Sequence, residues 1–157
     1  MNHIDFLRNV SLFESLDQQE LEALSDVAFT RTFSKDSVII LAEEEGDTLF
    51  ILKRGQVKVS IVSEEGREVI LSLLGPSSVF GELSLLDGKP RSANVVAIEE
   101  TDILMLRRAD FVQLIYKTPQ IATALLAELA TRLRKTDRQI EGLALLDVTS
   151  RISATLL

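Results

Sequence analysis

Gly81, Glu82, Arg91 and Ser92 are the residues whose types and spacing carry the most chemistry in this chain. They fall in Val79-Phe80-Gly81-Glu82-Leu83-Ser84-Leu85-Leu86-Asp87-Gly88-Lys89-Pro90-Arg91-Ser92-Ala93. Glycine at 81 lets the backbone approach a ligand closely, and the residues after it are predicted to form one helical turn whose N–H groups face an anion. Arg91 offers a planar fork of donors suited to a phosphate, and Ser92 adds a hydroxyl. The Arg91 side chain is expected to lie clear of the core, so that its removal leaves the fold intact. Glu82 is then a carboxylate beside an anion site, which is unfavourable unless it accepts a hydrogen bond from a sugar hydroxyl. An anion reader and a hydroxyl reader together describe a ribose phosphate. The other reading of the same spacing is a Glu82–Arg91 salt bridge in an ordinary turn.

Composition removes most other chemistries. The chain has no cysteine, which excludes disulfides, thiolate metal sites and cysteine nucleophiles. Its one histidine, His3, stands near a terminus expected to fray and leaves no histidine metal cluster. No nucleophile–base pair is visible, and Glu43, Glu44 and Glu45 read as solvated turn residues. The expectation is a non-enzyme with no metal and no cofactor. Acidic residues number 24 against 17 basic, and the net charge of −7 disfavours a broad electrostatic grip on nucleic acid or an anionic membrane. With 157 residues, 46% of them hydrophobic and 26% charged, the chain has the balance of about one globular domain with a core of its own. No apolar run approaches the ~20 residues needed to span a bilayer, and the N-terminus lacks the order of a signal peptide. A soluble, cytoplasmic protein without a membrane partner is expected.

The elements that must position the site follow from periodicity. Asp17 and Glu20 have capping-box spacing, and Leu16 and Leu21 stand as a hydrophobic staple around the first expected helix, with Leu21, Leu24 and Ala28 on its apolar face. From about Phe29 to Leu106 the period becomes two. Val57, Val59 and Ile61 alternate with polar residues, as do Val69, Leu71 and Leu73 after a turn at 63–67, which predicts half-buried antiparallel strands. Turn signals recur at Glu45-Gly46-Asp47, Arg54-Gly55, Glu65-Gly66, Gly75-Pro76 and Asp87-Gly88-Lys89-Pro90, a spacing that suggests a sandwich, barrel or roll. Helical spacing returns at Ala109–Tyr116, and a second helix is expected to start at Thr118-Pro119, an N-cap followed by proline. Leu126, Leu129, Leu133, Thr136, Ile140 and Leu143 then follow in 3-4-3-4-3 steps, the spacing of an a/d seam in a helix that pairs with its twin. The alternative is one amphipathic helix folded back on its own β-domain. The flanking charges Arg132, Arg134, Lys135, Asp137 and Arg138 read as a solvated face.

Phe80-Gly81-Glu82-Leu83, with Arg91-Ser92-Ala93 beginning nine residues after the glutamate, resembles the phosphate-binding cassette of cyclic-nucleotide-binding domains. Gly46-Asp47 and Phe50-Ile51-Leu52 leading to Gly55-Gln56-Val57 resemble the paired glycine turns of that β-roll. Gly142-Leu143-Ala144-Leu145-Leu146-Asp147-Val148-Thr149-Ser150-Arg151-Ile152 resembles the end of the dimerisation helix, the hinge and the first DNA-domain helix of bacterial Crp/Fnr-class regulators. The resemblance implies an α+β fold: an antiparallel, jelly-roll-like β-roll (a double-stranded β-helix) with flanking helices and a long C-terminal dimerisation helix. It implies a sensor domain over 1–117, the dimerisation helix over 118–146, and over 147–157 a hinge with the start of a helix-turn-helix domain that this chain cuts short.

For the site, the resemblance implies that Glu82 takes the ribose 2′-hydroxyl, with the backbone of Gly81 and Leu83 nearby, and that Arg91 and Ser92 take the cyclic phosphate. Thr136 matches a threonine that reaches the adenine ring. Asp137 stands where the family has a serine contributed by the partner subunit, and Asp36 stands where it has a glycine, in a left-handed turn that aspartate is expected to tolerate. The implied effector is a cyclic nucleotide, foremost cyclic AMP, and the implied partner is a second copy in a homodimer packed through the a/d seam. DNA would be bound only through the missing C-terminal domain. The competing reading is a ligand-free, or non-nucleotide, dimerisation module of the same fold.

Overall fold

The computed structural model describes residues 3–135. Before the first expected helix, the chain makes a short helix α1 (Ile4–Arg8) and a 3-10 turn (Ser11–Phe13) that the sequence reading did not anticipate. Ile4, Leu7, Val10, Leu12 and Phe13 are all buried there, at steps of one to three residues, so the segment is held by packing. His3, expected in a frayed end, is buried as well; its N–H donates to Ser25 Oγ at 3.2 Å and Lys53 Nζ lies 3.3 Å from its Nδ1. Helix α2 (Gln18–Val27) has the expected capping box: Glu20 N–H donates to Asp17 Oδ1 at 2.8 Å and Asp17 N–H to Glu20 Oε1 at 3.1 Å.

Eight strands follow among the described residues: β1 (Phe29–Phe33), β2 (Val38–Ile40), β3 (Thr48–Arg54), β4 (Val57–Val62), β5 (Glu68–Leu74), β6 (Val79–Phe80), β7 (Asn94–Ala97) and β8 (Thr101–Arg107). They form two antiparallel four-stranded sheets in the orders β1-β8-β3-β6 and β2-β7-β4-β5. This is the expected antiparallel β-roll with flanking helices. Helix α3 (Glu82–Asp87) lies between β6 and β7, and α4 (Arg108–Lys117) follows β8. Residues 120–135 then form the described part of α5.

The β1-β8-β3-β6 sheet is covered on both faces along β3 and β8, whereas four of the five residues of β1 are exposed. In β3, Leu49 and Ile51 face the helices while Phe50 and Leu52 face the roll interior; β8 repeats this with Leu104 and Leu106 against Ile103 and Met105. One core joins that outer face to α1, α2, α4 and α5 through Leu7, Leu21, Phe111, Ile121 and Leu125. The other fills the roll with Phe33, Ile40, Phe50, Leu52, Val57, Phe80, Val95 and Ile103.

One expectation changes at this level. Strand β5 is not half-buried by alternation: Val69, Ile70, Leu71 and Leu73 are all exposed, because β5 is a sheet edge and a bulge between Val59 and Ser60 shifts its register. At the start of α5, the Thr118 hydroxyl donates to Glu20 Oε2, a tie to α2. The Ser34–Ser37 turn survives its aspartate as expected, with Asp36 at φ 71° and its N–H bonded to Ala97 O at 2.7 Å.

Candidate functional site

Strand β6 delivers the chain to Gly81, which sits at φ 83° as the left-handed residue before α3. Only glycine adopts this torsion freely, and a Cβ here would stand 2.9 Å from the Phe50 ring, so the tight entry into α3 depends on it. Glu82 and Ser84 are buried in α3, where the expected helical turn extends to six residues, and Leu83 occupies its second position.

Arg91 reaches the same place from the segment before β7. Its backbone is clamped by the 43–44 turn, with Arg91 N–H donating to Glu44 O and Glu43 N–H donating to Arg91 O, both at 2.8 Å. Its guanidinium donates through Nη1 to Gly81 O at 2.7 Å and through Nη2 to Thr48 O at 2.8 Å, and lies 5.5 Å from the centre of the Phe50 ring. Phe50 in turn stacks on Phe80 at 5.2 Å. A Cβ on Gly46 would overlap the guanidinium, so that glycine is what leaves Arg91 its seat. Burial pushes the Arg91 pKa down from its ordinary value, with Asp47 and Glu82 opposing the shift. The side chain is thus part of the packed structure, which corrects the expectation that it lies clear of the core.

The simple salt bridge between Glu82 and Arg91 does not form; Glu82 pairs with Arg132 of α5. Arg132 Nη2 also donates to Val79 O and lies 3.3 Å from Glu128 Oε1. Arg132 is therefore no member of a solvated face, although Arg134 and Lys135 are exposed as expected. Sequence reasoning missed it because its partners lie about fifty positions away along the chain. The one available signal was that 132 is four residues before Thr136, one helical turn from the position matched to the base contact.

Together these groups line a cavity of about 760 Å³ between β4, β5, β6, α3 and α5. Gly81, Glu82, Arg91 and Ser92 all border it, as do Glu128, Leu129, Arg132 and Lys135 from the helix, and Ser92 is exposed toward it. Its chemistry is that of a receptor for a small anion bearing a hydroxyl: a fixed fork of donors, a carboxylate, and apolar walls from Leu71, Leu74 and Val95. Thr136 and Asp137 lie outside the described residues. So do Ile140 and Leu143 of the seam. Leu126 and Leu133 are exposed, whereas Leu129 is half-buried against the chain's own core, alongside Ile121 and Leu125.

No group of three or more metal-binding side chains occurs among the described residues, and no described helix is long and apolar enough to cross a membrane.

Comparison with known proteins places residues 30–118 within the model of the cyclic nucleotide-binding domain. The chain is 34% identical over 151 residues to the cyclic AMP receptor protein of Thermus thermophilus, covering 96% of this chain and 70% of that one. It is 42% identical over 122 residues to the cAMP-activated global transcriptional regulator CRP of Haemophilus influenzae, covering 77% of this chain and 54% of the relative. Among solved structures, the catabolite activator protein of Thermus thermophilus superposes with a TM-score of 0.76 at 37% identity, over 85% of this chain and 63% of the other. The chain thus spans between 54% and 70% of the length of these relatives.

Proposed function

Because the chain belongs to the cyclic nucleotide-binding domain family, on the side of Crp-like transcription regulators, we propose that it is the effector-sensing and dimerising region of such a regulator and that cyclic AMP is its effector. Arg91 and Ser92 take the cyclic phosphate, Glu82 accepts from the ribose 2′-hydroxyl beside the backbone of Gly81 and Leu83, and Thr136 with Asp137 meets the base. Two copies pair through the seam of Leu126, Leu129, Leu133, Thr136, Ile140 and Leu143. In this assignment 1–117 senses, 118–146 pairs, and 147–157 is the hinge that leads to the DNA-binding part, through which alone the regulator touches DNA.

The observation that carries the reading is the Arg91 guanidinium, buried, oriented by two carbonyls and bordering the same cavity as Glu82. Two of its donors are used by Gly81 and Thr48, and a guanidinium has five. The rest are free to meet a phosphate without moving the side chain, so recognition is preorganised. Allostery follows from Arg132, which ties the cassette to α5: an effector that changes the Glu82–Arg132 pair acts on the helix directly.

Isothermal calorimetry with cyclic AMP, cyclic GMP and a cyclic dinucleotide tests this. Arg91→Lys keeps the charge and loses the fork, and is expected to weaken cyclic AMP about 100-fold, roughly two charge-assisted hydrogen bonds at ~1.5 kcal/mol each. Equal affinity in parent and variant would remove Arg91 from the site. The ligand-free dimerisation module gains support from one observation, that Arg91 and Glu82 both find partners within the chain. A parent that binds none of the three nucleotides would decide for it.

A further inference from the structure

The helix side of the cavity holds three charged groups outside the proposed effector contacts, Glu128, Arg132 and Lys135, and Glu128 is the one carboxylate among them. Glu128 stands one turn before Arg132 on α5, with Glu128 Oε1 3.3 Å from Arg132 Nη2. The same guanidinium pairs with Glu82 through Nη1, so two carboxylates share one cation. Glu128 Oε2 is sealed from solvent and has no hydrogen-bond partner among the described residues. A buried carboxylate oxygen in that condition carries its desolvation cost without compensation, and either a donor or a proton relieves it.

The charged groups that line the cavity with Glu128, among the described residues, are Glu82 on α3, Arg91 before β7, and Arg132 and Lys135 on α5 itself. Strands β4 and β5 contribute Val59, Leu71, Ser72 and Leu74, none of which titrates. Three cations thus face two carboxylates. An anion bound among them competes with Glu128 for Arg132 and adds a like charge to its surroundings. Burial already pushes the Glu128 carboxyl above its ordinary value, against the pull of Arg132 and with a contribution from Glu82 in the same direction as burial.

We infer that Glu128 is a positioning residue that couples effector binding to the uptake of a proton: it shares Arg132 with Glu82 in the free protein, and when the effector's phosphate, seated on Arg91, also draws on Arg132, the buried carboxyl of Glu128 is protonated. This inference rests on the effector reading above. No bond other than O–H forms, and the proton comes from solvent. Because protons are taken up, affinity rises as pH falls, through the range between the carboxyl's pKa in the bound and in the free protein.

Calorimetry with cyclic AMP on the full chain, at fixed pH in buffers of different ionisation enthalpy, counts the protons. The expected result is uptake approaching one proton per effector in weakly acidic solution, with affinity rising by at most about tenfold per pH unit as pH falls. In Glu128→Gln the uptake disappears and the affinity becomes independent of pH in that range, no weaker at neutral pH than the parent's. A merely structural role predicts the opposite, weaker binding by the variant at every pH and no proton uptake by the parent. Parent binding without proton uptake overturns the inference and leaves the effector reading standing, as does uptake undiminished in Glu128→Gln. Absence of cyclic AMP binding at every pH overturns both.

Discussion

The outer face of the β1-β8-β3-β6 sheet and the β4–β5 hairpin are built from the same kinds of residue, yet one is closed by the chain and the other is not. Leu49, Ile51, Leu104 and Leu106 have no exposed surface, because α1, α2, α4 and α5 lie over them. Ile70 and Leu73 are 54% and 56% exposed on β5, and Leu126 and Leu133 on α5 are 67% and 63% exposed. Both regions are rich in apolar residues, although β3 and β8 each run four of them together where β4 alternates. What closes one region and not the other is a second layer, and a strand acquires one from elsewhere in the topology.

Truncating one residue in each region separates the closed core from the open hairpin. Phe111→Ala, in the closed core, is expected to cost about 3–5 kcal/mol. Leu71→Ser, on the open hairpin, is expected to stay within about 0.5 kcal/mol. Urea unfolding measures both, and comparable losses would mean that the hairpin is covered too. Next in size is the open stripe of α5. If Leu133 packs against a second copy, Leu133→Glu sets like charges across the contact and weakens self-association about 100-fold or more, with monomer stability unchanged. Sedimentation of parent and variant reads this, and a monomeric parent would leave the stripe without its proposed partner.

The smallest effect sharpens the closed region. Burial, then the Lys53 charge, then the N-terminal amine hold the His3 pKa below 6.5. The folded state therefore resists a proton that the unfolded state accepts. Its contribution to stability is complete above about pH 6.5 and is lost as pH falls from there through the lowered folded value. The melting temperature of the parent is expected to fall between pH 7 and pH 5 by a degree or two more than that of His3→Gln. Equal slopes would place His3 in solvent.

Local signals were readable wherever a few neighbouring residues decide the structure. The Asp17–Glu20 capping box, the boundaries of the β-region near Phe29 and Leu106, and the tight entry at Gly81 each depend on interactions within a handful of positions. The site was legible in part for the same reason, since Glu82 and Arg91 fall within one short cassette. Arg132 and Glu128 were not, because what makes them part of the site is a cavity closed by an element some fifty residues away. The exposure of β5 was hidden likewise: a period of two says that a strand has two faces, and says nothing of what stands opposite each. Arg91 was misjudged as free of the core because the carbonyls that hold it, at Thr48 and Gly81, come from other strands' ends.

Leu129 lies on the boundary between the stripe of α5 that docks on the chain's own core, with Ile121 and Leu125, and the stripe of Leu126 and Leu133 that faces outward. At about 100° per residue, a rotation of α5 about its axis by a few tens of degrees carries position 129 further inward or further outward. A fluorophore or spin label there would act as a dial for the roll angle of the helix, readable in solution and independent of any change in its length or tilt.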